Sequence, residues 1–261
     1  MNPSVLFVFI LSILLGVLRA ADLAFGTDAV TGLCVVGSVW WRYLALGIVV
    51  LAAVLVGRTQ PSHSEAVRSR RPLAGILAFV GAVCFLAAAG AQIALGAASG
   101  LGGFVRCILE CLCSAWLSTM GRCWLSPNEW KKPFGGLYLA VAGSLLFYWN
   151  VLLRFMENSS SWHRVTPTAA VWQALAALVF LAALARALHV PQPGNGKTLC
   201  AAGLAAFALC LCWQLPHVLV LMSGLSWAAQ AVWPEIFAGL GLCCVGGIGG
   251  ACVTACLNGE S

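Results

Sequence analysis

The feature that most constrains this chain is the recurrence of uncharged apolar runs long enough to cross a bilayer. Residues 73–98 contain no Asp, Glu, Lys or Arg, and neither do residues 198–234 or 236–259. A helix of about 20 residues spans the hydrocarbon core. Lipid offers no partner for backbone N–H and C=O groups, so runs of this kind fold as helices. Eight segments qualify: about 2–25, 41–57, 73–98, 104–120, 134–153, 168–186, 198–222, and one from near 230 or 235 to 256. The expected fold is all-α, a polytopic integral membrane helix bundle of about eight transmembrane spans. It becomes seven if 104–120, which contains Arg106 and Glu110, does not cross.

The spans leave no room for a separate soluble module, so residues 1–261 read as a single transmembrane domain. Gln92 followed by Ser99-Gly100-Leu101 is echoed by Gln214 followed by Ser223-Gly224-Leu225. That echo would fit a weak 4+4 repeat of 1–120 and 134–256, a plan common among transporters.

Composition narrows the function. Hydrophobic residues make up 61% of the chain and charged residues 8%, against roughly a quarter charged in soluble domains. A soluble enzyme, a nucleic-acid binder, a disordered chain and a disulfide scaffold are excluded. The thirteen cysteines lie mostly in apolar runs, where they act as small hydrophobes. Cys107, Cys111, Cys113 and Cys123 lack zinc-site spacing, so neither a metal nor another cofactor is expected. Nucleotide-binding, metalloprotease and hydrolase motifs are absent, and the chain does not read as an enzyme. No Lys or Arg precedes the run Val5 to Leu18, which therefore reads as a retained first span rather than a signal peptide.

Orientation follows from the distribution of basic residues. With eight spans, loops 58–72, 121–133 and 186–197 share a side and hold nine Lys or Arg, leaving five on the other. With seven spans the balance becomes six against eight. Eight spans with both termini cytoplasmic satisfy the rule, which places the protein as multi-pass in a cytoplasmic or plasma membrane. Trp40, Trp41, Trp124, Trp130, Trp162 and Trp227 fall near span ends, where amphipathic rings are stable. Asn158-Ser159-Ser160 fits a glycosylation sequon in an outer loop.

Polar residues within spans are costly and gather at bundle interiors or cavities. Gln92, Arg106, Glu110, Asn150, Arg154, Gln173, Gln214, His217, Gln230 and Glu235 nearly all fall in the outer halves of their spans. Such a distribution implies a water-accessible vestibule open to the outside. Arg106 and Glu110 stand four apart on a helix and can neutralise each other. His217 and Glu235 stand at equal distances from a turn near Ser226, each directly after a proline, so a hairpin brings them to one depth. Gln214 shares a face with His217. A proline inside a span frees a carbonyl and kinks the helix, a common way to build an intramembrane site.

His217, Glu235, Gln214, Arg106 and Glu110 are therefore the candidate residues of a substrate or ion pathway. The leading reading is a secondary-transporter-like protein or permease for an unidentified small molecule or ion. The alternative is a non-catalytic membrane sensor, assembly factor or partner-binding subunit. Besides lipid, the expected partner surface is the GxxxG pair Gly246 and Gly250, which allows close helix contact inside the bundle or between copies of the chain. No nucleic-acid partner is expected.

Overall fold

The computed structural model describes residues 2–27, 33–60, 63–96, 98, 100–126, 133–156, 165–190, 192, 194–223 and 232–257. Among them, eight helices are long and apolar enough to cross a membrane: α1 (Pro3–Gly26), α2 (Val39–Thr59), α3 (Pro72–Ala94), α4 (Gly100–Leu125), α5 (Leu137–Met156), α6 (Val165–His189), α7 (Asn195–Ser223) and α8 (Trp233–Leu257). The chain is an all-α polytopic bundle. The doubtful span, α4, is a continuous 26-residue helix despite having the lowest hydropathy of the eight.

Local chemistry sets the boundaries. Asn2 caps α1 by accepting from the Ser4 N–H, with Pro3 in the first turn. Ser38 does the same for α2 through the Trp40 N–H. α3 ends at Ala94 rather than 98, because Gly96 turns to φ +65 and stops the helix. α5 begins at 137 rather than 134, because Phe134, Gly135 and Gly136 all have positive φ.

α3, α4, α5, α6, α7 and α8 pack in sequence around a ring that closes where α8 meets α3. α1 and α2 pack on each other and on α7. Small residues set the closest approaches. A Cβ on Gly246 would lie 2.6 Å from the Leu211 nitrogen, and one on Gly250 would lie 2.8 Å from the Phe207 ring. The GxxxG pair is thus used within the chain, between α8 and α7. A contact between copies at Gly246 and Gly250 would need a face that α7 already covers. Exposed Leu, Ile, Val and Phe side chains such as Phe7, Ile10 and Leu14 face outward, as lipid-facing surface must.

One end of the ring is dry. Trp116, Leu117, Met120, Trp124, Phe180 and Leu184 are fully buried there or in the middle of the bundle. The 3-10 segment Ser64–Arg68 lies at this end with Val67 buried. The Trp124 indole donates to the Val67 carbonyl at 2.9 Å, and Arg68 donates to the Leu188 carbonyl at 2.9 Å. The His63 N–H donates to the Cys256 carbonyl at 3.1 Å. The α2–α3 connection is therefore tied to α4, α6 and α8.

Candidate functional site

At the other end, where α4, α6 and α8 begin and α5 and α7 finish, a cavity of about 190 Å³ opens. It draws lining residues from seven helices, including Arg19, Arg106, Glu110, Asn150, Gln214, His217 and Glu235. All five residues singled out from the sequence share this one cavity.

The α4 wall is built around Glu110, which is 1% exposed. Gln92 Nε2 donates to both carboxylate oxygens, at 2.9 and 2.8 Å. Arg106 Nε donates to one of them at 3.1 Å. A buried carboxylate is tolerable only when paired and hydrogen-bonded in this way. Arg106 is fastened by Nε alone and its side chain is 30% exposed. Among the described residues its two terminal amino groups have no hydrogen-bonding partner, so the open fork of the guanidinium belongs to the cavity wall.

The α7 wall departs from regular helix. Phe207–Trp213 is π-helical, and Pro216 follows a few residues later. Proline has no N–H to offer the Cys212 carbonyl one turn earlier, and its ring crowds that carbonyl. The wider π turn is a common accommodation and is frequent at functional sites. Gln173 Nε2, from α6, donates to the Leu209 carbonyl at 3.0 Å and to Gln214 Oε1 at 2.9 Å. Gln214 is thereby turned so that its amide nitrogen keeps its donors, with no protein acceptor among the described residues.

The irregular turn also admits α1. A Cβ on Gly16 would lie 2.6 Å from the Cys212 carbonyl oxygen, so only glycine allows the two backbones to approach this closely. Three residues on, on the same face of α1, Arg19 lies 4.6 Å from the centre of the Trp213 ring. Its Nη1 pairs with Asp22 at 2.7 Å and its Nη2 donates to Thr166 Oγ1 at 3.0 Å. Nε is buried without a partner among the described residues. Arg42 Nε, from α2, donates to the same Asp22 carboxylate at 2.8 Å, and Arg42 also touches the Cys34 thiol. Among the described residues, two guanidinium groups thus share one carboxylate, a local surplus of one positive charge beside the cavity. The Arg106–Glu110 pair, by contrast, is neutral.

His217 is half-buried and Glu235 is exposed. Both line the cavity, yet no hydrogen bond or ion pair joins them among the described residues. The expected meeting is therefore a shared cavity and not a direct bond. Glu235 sits in the first turn of α8, where the helix dipole favours an acid at the rim.

Arg19, Thr166 and Trp213 belong to the site but are not singled out by the sequence. Arg19 reads there as one more basic residue near a span end. Its signal is Asp22 three residues later in an otherwise apolar run. Gln230, Arg164, Lys131, Lys132, Trp130, Trp162, Trp227, Ser226 and the sequon at Asn158 lie outside the described residues. Among the described residues no group of three His, Cys, Asp or Glu side chains forms a metal site, and the cysteines are free thiols.

The bundle and its cavity define a multi-pass helical membrane protein with a polar pocket at one end. Comparison with protein-family models, with curated proteins and with solved structures finds no match for the chain.

Proposed function

We propose that the protein binds a small polar solute in this pocket and carries it across the membrane, as a secondary-transporter-like protein or permease and not as an enzyme. One observation carries the reading. Polar side chains from separate helices converge on a single cavity, although each is expensive to keep within a span. Several of them, including Arg106, Gln214 and Asn150, keep hydrogen-bonding capacity that no group among the described residues uses. A purely structural network would be expected to satisfy itself.

The basic loops at 58–72 and 186–197 lie at the opposite end, so by the positive-inside rule the pocket faces outward. The tied-down 63–71 segment would then act as the inner barrier, released when the carrier changes conformation.

The dry, tightly packed inner half also favours a second reading, a sensor that binds the same solute without moving it. Reconstitution into liposomes separates the two. Solute-dependent thermal stabilisation together with flux supports a carrier, and stabilisation without flux supports a sensor. If no small solute among sugars, amines, amides, acids and inorganic ions is bound, the solute-pocket reading fails.

A further inference from the structure

On the footing that the pocket is a solute site, we propose that its ligand is a small organic monocarboxylate with an apolar body, held by the open fork of Arg106. Three independent features converge on this class.

The first is the donor set. Arg106 is anchored through Nε to a carboxylate that Gln92 holds in place. Its two terminal amino groups remain, a planar fork that matches a carboxylate with two parallel hydrogen bonds. The Gln214 amide is turned by Gln173 so that it too presents donors. An uncharged polyol would need acceptors to match its own hydroxyl hydrogens. An ammonium would need an accessible acid. Glu110 is buried and already accepts at both oxygens from Gln92 and Arg106, which leaves Glu235 at the exposed rim.

The second feature is charge. Among the described residues that line or back the cavity, Arg19, Arg42, Arg106 and Arg154 outnumber Asp22, Glu110 and Glu235 by one, and Arg19 is 2% exposed. A guanidinium kept this dry with an incomplete counter-charge creates a positive potential in a low-dielectric pocket. The surplus is a single charge. A carboxylate cancels it, whereas a phosphate monoester near neutrality brings about −1.5 to −2 and would overshoot.

The third feature is the remaining wall. Phe85, Phe147, Leu153, Trp213, Leu221 and Leu242 line the rest of the cavity and ask for hydrocarbon. At about 190 Å³ the cavity lies below the roughly 300–1,000 Å³ typical of drug-sized ligands. The ligand is therefore a short aliphatic acid or a single-ring aromatic acid.

The test uses the full-length protein in nanodiscs of zwitterionic lipid and reads thermal stability and equilibrium binding. The probes are butyrate and benzoate, their amides butyramide and benzamide, butylamine, and inorganic phosphate. Both acids should bind and raise the melting temperature. The amides should bind roughly 10- to 100-fold more weakly, the range expected for losing a charge-assisted hydrogen bond.

Arg106→Gln should abolish the difference between acid and amide. Because Arg106 also supports a buried carboxylate, the paired change Arg106→Gln with Glu110→Gln keeps the wall neutral. It should remain folded by size-exclusion chromatography yet lose acid binding. Equal binding of acid and amide overturns the proposal, as does undiminished acid binding in the paired variant or tighter binding of phosphate. If anionic lipid in the nanodisc produces the same stabilisation and competes with benzoate, the site takes a lipid phosphate and the proposal fails. Binding of butylamine or an amide alone would leave a solute pocket standing while refuting the carboxylate. Binding of none of the probes refutes the carboxylate, and only failure of the wider solute panel refutes the pocket itself.

Discussion

Removing Arg106 should damage the protein far more than removing its partner, and the asymmetry comes from burial. Glu110 is 1% exposed and Arg106 is 30% exposed on its side chain. Arg106→Ala leaves a buried carboxylate held only by Gln92, and breaking one side of a buried pair costs roughly 3–5 kcal/mol. Insertion scales put an unpaired charge at mid-span at about 2.5–3.5 kcal/mol. In the double change to two alanines no charge remains. The main residual loss is the Gln92 amide without its acceptor, about 1–3 kcal/mol.

Glu110→Gln should be milder still. Glutamine can still bond Gln92, and Arg106, 30% exposed on its side chain, reaches water, so no buried charge is left uncompensated and the penalty of a broken buried pair is not incurred. Reversible SDS unfolding in mixed micelles would measure all three. The expected order of destabilisation is Arg106→Ala, then the double variant, then Glu110→Gln. A double variant as unstable as Arg106→Ala, or more so, would refute the pairing as the reason α4 is tolerated in the membrane.

Gly16→Ala should destabilise by about 1–3 kcal/mol, because its Cβ meets the Cys212 carbonyl oxygen at 2.6 Å and backbone cannot step aside cheaply. Gly90→Ala meets nothing within 4 Å and should be neutral or stabilising by up to about 1 kcal/mol, read in the same unfolding assay. His217 lines the cavity, so His217→Gln should change equilibrium solute binding while leaving the protein folded, and unchanged binding would remove His217 from the site. Single cysteines at positions 65 and 128, in a background without native cysteines, should be labelled from one side of the membrane and a cysteine at position 235 from the other. Labelling of 65 and 128 from opposite faces would break the eight-span topology.

The apolar runs alone determine that this chain is a bundle of spanning helices, because lipid allows a lone segment no other way to pair its backbone. The Arg106–Glu110 pair was legible for a similar reason, since residues four apart on a helix are neighbours wherever that helix packs. So was the crowding of polar residues toward one end, for depth in a membrane follows from position along a span.

Rotation and pairing of helices are different in kind. They depend on which small residue meets which backbone, and nothing in residues 12–22 announces that Gly16 will seat α1 on the Cys212 carbonyl in α7. That contact brings Arg19 over Trp213 and onto Thr166, making a residue that reads as a span-end charge into a wall of the pocket. The same holds for Gln92, a polar residue in the sequence whose acceptor, Glu110, lies on the next helix. Equal depth placed His217 and Glu235 at one end of the bundle. Only helix rotation and the rim position of Glu235 decided that they share a cavity with no hydrogen bond or ion pair between them.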